Sequence, residues 1–304
     1  MTLTRRQILA AMGATTVFGL PRPAFSATQI TLGKAKLTTV SDGNLVLPMD
    51  FLLGDLAASD AAPILAKHGI SGDSMEPPCN LTLLQDEDRT VLFDAGSGHA
   101  FMPSAGEVLD ALDALDIAAE DITHVLFTHA HPDHLWGVLD DFDDPVFTNA
   151  THMIGQAEWD YWSDPETVNT IGEARASFAV GAARRLAAIE DRMEFITGGQ
   201  EVLPGVMTHD TPGHTPGHLA FEVRQDGNAA LIVGDAIGNG HLAFERPNWP
   251  SGSDQDAETG IATRLRLLDQ LATDQMAMVG FHLPNGGLGR VERMGDAYRF
   301  LTEV

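Results

Sequence analysis

Cysteine is nearly absent from this chain, which has 304 residues and a single cysteine, Cys79. One thiol excludes any disulfide within the chain, so the disulfide-stapled scaffolds of small secreted proteins do not apply. A lone cysteine is more often a buried apolar residue than a nucleophile, and we expect a buried one here. The fold must therefore rest on its apolar residues, which at 44% of the sequence are enough for a sizeable core.

Basic residues are also scarce, because 18 Lys and Arg stand against 43 Asp and Glu, a formal net charge of −25. Phosphate backbones and anionic lipid surfaces are bound by clustered Lys and Arg side chains. The sequence therefore predicts no nucleic-acid partner and no docking on anionic lipid. We interpret the acidic excess as a solvated surface that keeps the protein in solution.

Long apolar runs are missing as well. The stretch from Ile8 to Leu20 is shorter than the roughly 20 residues that a helix needs to cross a bilayer. Arg5 and Arg6 precede this stretch and a small-x-small sequence follows it, an order that resembles a twin-arginine export signal. We expect residues 1–26 to be cleaved, which leaves residues 27–304 as a single periplasmic or secreted domain without a stable membrane anchor.

Turn residues and apolar spacing divide the rest of the chain into strands and helices. The letters QDED and QDGN each separate two apolar runs, which predicts two hairpins. Residues 104–115 carry apolar side chains at helical spacing behind Ser104, with Glu107 three residues later, which predicts a capped helix. Residues 157–193 predict a mostly helical insert, and residues 256–272 predict another helix. The order favours an α/β fold with two sheets enclosed by helices.

The stretch THAHPDHLWG, residues 128–137, concentrates side chains that bind metals. Four of them fall within six positions: His129, His131, Asp133 and His134. A short predicted strand precedes the stretch, so one loop can turn all four side chains toward the same place. Imidazole and carboxylate suit Zn²⁺, whereas burying four such groups unpaired would be costly. The motif therefore predicts a metal site.

Three more residues with the same chemistry lie far along the chain. His214 is in TPGHTPGH, Asp235 closes the apolar run ALIVGD, and His282 closes MAMVGFH. Each follows an apolar run or a tight Gly/Pro turn, where binding groups are usually displayed. We therefore include all three in the candidate metal site.

The order H-x-H-x-D-H, GHTPGH, GD and a late histidine resembles the metallo-β-lactamase superfamily over about residues 30–304. The resemblance implies a four-layer αββα fold, in which two mixed β-sheets are sandwiched between helices. It also implies two Zn²⁺ ions per chain, each with three ligands of its own: His129, His131 and His214 for one, and Asp133, His134 and His282 for the other. Asp235 would bridge the two ions together with a hydroxide, the nucleophile of the family.

Asp235 and the tail narrow the activity that the resemblance implies. The β-lactam-cleaving members lack a bridging acid at this place, whereas lactonases, thioester hydrolases and phosphotriesterase-like members have one. The segment GFHLPNGGLG resembles the methyl-parathion-hydrolase and lactonase branch. We expect an exported dinuclear zinc hydrolase of a lactone, with Asp133 and Asp235 as catalytic residues and phosphotriesterase as a side activity.

Four alternatives stay open at this stage. They are an organophosphate hydrolase, a metallo-β-lactamase, an RNA-processing nuclease, which the charge opposes, and a non-hydrolytic metal-binding or redox member. For the lactonase and organophosphate-hydrolase interpretations, the expected partner is a small-molecule ester or phosphotriester. The sequence leaves open whether the protein forms a homodimer.

Around the metals we expect a partly aromatic pocket. Trp136 stands where the family usually has glycine, and it would narrow the cleft. The other candidates for the wall come from the helical insert and the segment after Asp235: Trp159, Trp162, His241, Phe244 and Trp249. The resemblance also implies that Asp94 supports the metal loop from behind and that His218 is structural.

Overall fold

Strands and helices alternate along residues 27–302, the part of the chain that the structure, a computed structural model, describes. The expected export signal, residues 1–26, lies outside this part and stays a prediction. Among the described residues no helix combines the length and the apolar character that a membrane span needs.

The strands follow one another in this order: β1 Gln29–Leu32, β2 Ala35–Asn44, β3 Leu47–Pro48, β4 Ser74–Met75, β5 Pro78–Gln85, β6 Thr90–Phe93, β7 His124–Leu126, β8 Thr151–Gly155, β9 Met193–Ile196, β10 Glu201–Leu203, β11 Val206–Asp210, β12 Leu219–Gln225, β13 Asn228–Gly234, β14 Ala277–Gly280, β15 Leu288–Met294 and β16 Ala297–Leu301. The α-helices are α1 Met49–Leu53, α2 Ala58–Lys67, α3 Val108–Asp113, α4 Pro132–Leu135, α5 Gln156–Ser163, α6 Thr167–Thr170, α7 Ala176–Ile189, α8 Leu242–Glu245 and α9 Ala257–Asp274.

Within residues 27–302 the long strands form two seven-stranded mixed sheets. The first has the order β1-β2-β5-β6-β7-β8-β9, and its strands from β6 onward are parallel. The second runs from β10 to β16 in sequence order, with β13 and β14 as its parallel pair. The expected hairpins are confirmed, since β5 pairs with β6 and β12 pairs with β13 in antiparallel register. Asp226 and Gly227 turn the second hairpin with φ of 51° and 81°, the positive angles that a two-residue type I′ turn requires.

Alternation along the strands sorts the core into layers. In β13, Ile232 belongs to the apolar cluster between the two sheets, while its neighbours Leu231 and Val233 pack with the α9 side chain Leu268. Phe93 of the first sheet meets Phe221 of the second at a ring-centroid distance of 5.3 Å. Successive strand residues face opposite sides, so each sheet packs one face against the other sheet and the opposite face against helices. The expected four-layer αββα fold of the metallo-β-lactamase type is confirmed.

The helix expected over residues 104–115 is shorter than predicted and begins differently. It spans Val108–Asp113, so Ser104 lies outside it and does not cap it. Instead, the N–H of Val108 donates to Oδ1 of Asp42 at 2.9 Å, and Asp42 is fully buried near the end of β2. A tertiary contact thus satisfies a helix end that local sequence assigned to a serine.

Candidate metal centre

The histidine-rich loop follows β7 and runs directly into a short helix. His129 lies in the loop and His131 immediately precedes α4, whose first residue is Pro132. Proline suits this position because its fixed φ is helical and its missing N–H has no partner in a first turn. Asp133 and His134 then lie within the helix, so four side chains of one short segment point to one place.

The second sheet supplies the three remaining candidates. His214 lies in the connection between β11 and β12, Asp235 directly follows β13, and His282 comes two residues after β14. Because β13 and β14 are parallel, their carboxyl ends meet at one edge, which faces the loop after β7. Gly234 makes the turn into Asp235 with φ of 50°, and a Cβ there would lie 2.7 Å from Nε2 of His218.

Three histidines form the first group, which we call the three-imidazole cluster: His129, His131 and His214. Nδ1 of His131 lies 3.1 Å from Nε2 of His129 and 2.8 Å from Nε2 of His214. All three residues are buried. Three ring nitrogens of buried side chains therefore converge on one point.

The second group, the mixed cluster, contains two carboxylates: Asp133, His134, Asp235 and His282. Nε2 of His282 lies 3.2 Å from a carboxylate oxygen of Asp133 and 3.2 Å from one of Asp235. Asp235 also reaches the other cluster, since its Oδ2 is 3.4 Å from Nε2 of His214 while its Oδ1 is 3.4 Å from Nε2 of His134. The sequence-predicted bridging residue thus lies between the two groups.

Both groups fit a divalent transition metal. A tetrahedral ion with ligand bonds of about 2.0–2.1 Å spaces its ligand atoms about 3.3 Å apart, close to the separations observed. Three buried atoms of the mixed cluster have no hydrogen-bond partner among residues 27–302: Oδ2 of Asp133, Nε2 of His134 and Oδ1 of Asp235. Buried polar atoms are rarely left unpaired, and here a cation between them would satisfy all three.

In His134 and His282, the ring nitrogen that faces away from the cluster has a polar partner of its own. Nδ1 of His134 contacts Oδ2 of Asp94 at 2.8 Å, and Nδ1 of His282 donates to the carbonyl oxygen of Pro78 at 2.8 Å. Asp94 adopts φ of 66°, an uncommon angle outside glycine, and its carboxylate also accepts the N–H of Thr128 at 2.7 Å. Such contacts fix which nitrogen of each imidazole faces the ion. Asp94 therefore lies where the resemblance placed it.

His218 stays outside both clusters. Its Nε2 accepts the N–H of Asp235 at 3.1 Å, and its Nδ1 is 2.7 Å from the hydroxyl oxygen of Thr211. Both ring nitrogens are thereby engaged, and burial lowers the pKa of His218 to about 3, which keeps the ring neutral. His218 holds the turn that presents Asp235.

The two clusters differ in charge. Burial lowers the pKa of His129 and of His131 well below the ordinary value, so both rings are neutral, as metal ligands must be. In the mixed cluster burial acts in the same direction, but the carboxylates outweigh it and raise the pKa of His134 and of His282. Burial is likewise outweighed at Asp133, where His134 leads in lowering the pKa. In the mixed cluster, ionised carboxylates thus lie beside imidazoles that hold their protons more tightly than usual, and a metal ion that binds there would displace those protons.

Glu158 is a buried residue near the site that the sequence interpretation missed. It lies on α5, is 0% exposed, and accepts four hydrogen bonds from the metal loop, the His214 loop and Trp162. Burial raises its pKa, while these hydrogen bonds act in the opposite direction. The letters QAEWDYW around it resemble an ordinary acidic helix surface, so no local signal marks it.

A pocket opens over the two clusters, with a volume of about 60 Å³. Its floor contains cluster residues, among them His131 and Asp235, and its wall is mostly apolar: Leu45, Leu47, Phe51, Leu52, Met75, Phe101 and Phe178. Among the described residues that line it, Arg175 is the one Lys or Arg. Its guanidinium lies 5.4 Å from the Phe51 ring and donates to the carbonyl oxygen of Gly252 at 2.7 Å. The wall thus comes largely from the segment after β2, not from the predicted tryptophans.

Two predicted wall residues of the helical insert face the core or a sheet edge instead. Trp162 is 0% exposed because its indole N–H donates to Glu158 at 2.6 Å, which draws the ring in behind His131. Trp159 packs edge-on against Phe195 of β9 at a ring-centroid distance of 5.0 Å. Their packing partners, not their nearness in sequence to the metal loop, decide where they point.

Three further aromatic predictions are also placed elsewhere. Phe244 is 1% exposed and packs on Phe300 at the outer face of the second sheet. Trp249 lines a separate small cavity beside α9. Trp136 lies one layer behind the wall, since its ring meets Phe101 at 5.4 Å and the Arg185 guanidinium at 4.2 Å.

His241 lines a neighbouring cavity of about 490 Å³. This side cavity meets the metal pocket at three shared residues: Met75, Pro77 and His282. His241 accepts the N–H of Leu242 through Nδ1 at 2.8 Å, and burial, followed by the charge of His68, lowers its pKa to about 4. His241 therefore lines the side cavity and not the pocket above the two clusters.

Solved structures share this architecture across nearly the whole chain. The structure of AidC, described as a dizinc quorum-quenching lactonase in complex with a product, is 24% identical with a TM-score of 0.87, covering 92% of this chain and 98% of that chain. The structure of the hydrolase AbOPH is 24% identical with a TM-score of 0.84, covering 91% and 97%. At such identity the likeness shows the fold.

Curated relatives match over shorter stretches. The N-acyl homoserine lactonase AttM of Agrobacterium fabrum is 28% identical over 131 residues, 41% of this chain and 44% of that protein. The hydroxyacylglutathione hydrolase of Methylococcus capsulatus is 33% identical over 168 residues, 53% of each chain. An uncharacterized protein of Bacillus subtilis is 29% identical over 160 residues, 53% of this chain and 62% of that protein. The matches span about half the length of these relatives.

A family model settles the classification. The model described as the metallo-beta-lactamase superfamily matches residues 75–276, which include the histidine-rich loop, His214 and Asp235. His282 lies just beyond the matched region, and the structure brings it to the same centre. The chain belongs to the metallo-β-lactamase superfamily of hydrolases.

Proposed function

We propose that this protein hydrolyses a lactone at a centre of two divalent metal ions, and that both ions are zinc. The observation that carries the proposal is the position of Asp235, whose two carboxylate oxygens lie 3.4 Å from ring nitrogens of different clusters. Ions bound there would supply Lewis acidity toward the ester carbonyl and would acidify a water molecule. A lactone also agrees with the relatives named lactonases, AttM and AidC.

The chain's own residues supply orientation and proton handling. Asp133 lies at the pocket floor, where its carboxylate can orient the attacking water and carry its proton toward the leaving oxygen. The ring C–O bond then breaks, and the proton passes to the oxygen that leaves as the alcohol of the opened hydroxy acid. The apolar wall around Phe101 and Phe178 would hold the hydrocarbon part of the substrate and exclude bulk water.

The shape of the reacting group favours a lactone over a phosphotriester. A lactone carbonyl is planar, whereas a phosphotriester is tetrahedral and carries three arms. The apolar side chains around the clusters, among them Phe101 and Phe178, therefore have to leave less width above the metal site for a lactone than for a phosphotriester. We therefore expect phosphotriester hydrolysis to be the slower of the two activities.

A substrate panel on the zinc-loaded protein tests the proposal. It contains an N-acyl homoserine lactone, an unsubstituted alkyl lactone, a chromogenic phosphotriester and a chromogenic cephalosporin. We expect the highest kcat/KM for one of the lactones, a lower value for the phosphotriester and no cephalosporin cleavage. A protein that prefers the phosphotriester or the cephalosporin would contradict the lactonase assignment.

We further propose that Arg5 and Arg6 direct the folded protein across the inner membrane. The support is the sequence order alone: paired arginines, an apolar run and a small-x-small site. Replacing both arginines with lysine should leave uncleaved protein in the cytoplasm. Fractionation and mass spectrometry of the intact chain decide it, and mature protein still found in the periplasm would argue for another route.

A further inference from the structure

Glu158 connects the two loops that carry the three-imidazole cluster. Its Oε1 accepts the N–H of Ala130, between His129 and His131, at 2.9 Å. Its Oε2 accepts the hydroxyl of Thr215 at 2.7 Å and the N–H of Gly217 at 3.0 Å, both just after His214. One carboxylate thus spans a loop of the first sheet and a loop of the second.

The packing around this carboxylate leaves it little freedom. Trp162 donates its indole N–H to Oε1 at 2.6 Å, so each oxygen accepts two hydrogen bonds. Gly217 lies so close to α5 that a Cβ on it would come within 2.1 Å of the backbone nitrogen of Glu158. Because the side chain is fully buried, water cannot replace any of these four bonds.

We infer that Glu158 is a positioning residue, which presets the three-imidazole cluster for its metal ion by holding both ligand loops at one distance. Each of the three ligands is next in sequence to a residue that Glu158 binds, Ala130 or Thr215. In the mixed cluster, Asp133 and His134 lie three and four residues after Ala130 and within α4, while Asp235 and His282 follow other strands. The effect should therefore be larger at the three-imidazole site than at the mixed-cluster site.

Glu158→Gln is the sharpest variant, because it keeps the size of the side chain and removes one acceptor oxygen. If the new amide NH₂ faces Ala130 and the indole, two donors oppose it; if it faces Thr215, the hydroxyl can turn to accept but the N–H of Gly217 is left unpaired. Either orientation loosens one loop. Thr215→Val removes a single bond to Oε2 and serves as a milder second variant.

The experiment measures zinc affinity by chelator competition on the full chain and locates the ion by anomalous diffraction at one equivalent of zinc. For Glu158→Gln we expect the dissociation constant of the three-imidazole site to rise about 10- to 100-fold, with the mixed-cluster site changed less than about threefold. Thr215→Val should weaken the same site to a smaller extent. Asp160 is on the same helix, and its carboxylate accepts a hydrogen bond from the side chain of Gln156. Asp160→Asn is therefore the matched control and should change neither site.

The readout separates positioning from general support of the fold. Equal weakening of both sites, or unchanged affinity with the zinc of Glu158→Gln in its usual place, would overturn the inference. Selective weakening supports it even if no lactone is ever cleaved, because metal binding is measured without substrate. A failed substrate panel would therefore count against the proposed reaction and not against this role of Glu158.

Discussion

The two metal clusters lie side by side but are built in different ways. The three-imidazole cluster contains no carboxylate, and a helix side chain, Glu158, holds its loops from outside the sheets. The mixed cluster contains carboxylates, and the strands themselves support it, through Asp94 after β6 and the carbonyl of Pro78 on β5. The candidate centre thus has two main supports, which are linked at Thr128, because its hydroxyl donates to Asp94 and lies 3.0 Å from Nδ1 of His129. Changing either support should affect one ion more than the other.

Asp235→Ala should have the largest effect, because this residue belongs to both sides of the comparison. Removing its carboxylate takes one ligand from the mixed cluster and the contact with His214. We expect the bound metal to fall from two ions to one or fewer per chain and kcat/KM to fall about 10³-fold or more. Elemental analysis and lactone turnover measure the two losses. If the variant still binds two ions per chain, Asp235 does not bridge the two sites.

Asp94→Asn should have the next largest effect and should mirror Glu158→Gln. The amide can still contact Nδ1 of His134, but it no longer stabilises the imidazole with a negative charge. We expect the mixed-cluster dissociation constant for zinc to rise about 10- to 100-fold. The change at the three-imidazole site should be smaller, because Asp94 reaches it only through Thr128, the residue before His129. The same titration and diffraction experiment gives the answer. If zinc affinity fell at the three-imidazole site alone, Asp94 would support that site and not the mixed cluster.

Phe101→Ala tests the pocket above both clusters. Phe101 lines the wall directly, whereas Trp136 lies behind it. Removing the Phe101 ring should widen the mouth and raise the phosphotriester-to-lactone ratio of kcat/KM about tenfold, or about 1.4 kcal/mol of barrier. Trp136→Phe is the control and should leave the ratio unchanged. If only the Trp136 variant shifts the ratio, Trp136 and not Phe101 sets the width of the cleft, as the sequence analysis expected.

His152→Phe should have the smallest effect on function and reports on a buried histidine with no metal role. Its ring stacks on Phe127, and neither ring nitrogen has a hydrogen-bond partner in the part of the chain that the structure describes. Burial, followed by the charge of Arg192, lowers its pKa to about 4. The unfolded chain takes up this proton near pH 6.5, so the free energy of unfolding falls as the pH drops from about 6.5 to 4.

The phenylalanine variant should keep about 2–3 kcal/mol of the stability that the wild type loses between pH 7 and pH 4.5. Denaturant unfolding of both metal-free proteins at the two pH values measures the difference. Identical pH dependence would show that His152 is already protonated in the fold or never titrates in this range.

Most of the fold and the candidate ligands of the histidine-rich loop could be predicted because their signals are local. Period-two apolar runs and an Asp-Gly turn indicate strands and hairpins wherever the chain folds them. Three histidines and an aspartate in six positions are costly to bury without a cation. Ser104 was the exception among local predictions, because the buried Asp42 from another strand satisfied the helix end instead.

The sequence by itself determined which residue types could hold metal and roughly where along the chain they lie. Only the tertiary structure decided which aromatic rings line the pocket, since Trp162 and Phe244 are equally apolar wherever they point and packing partners alone withdraw them. Glu158 is the clearest case. On a helix its carboxylate looks solvated, and it becomes buried only because two loops from different sheets present four donors to it. A hydrogen bond between distant segments leaves no periodic trace in either one.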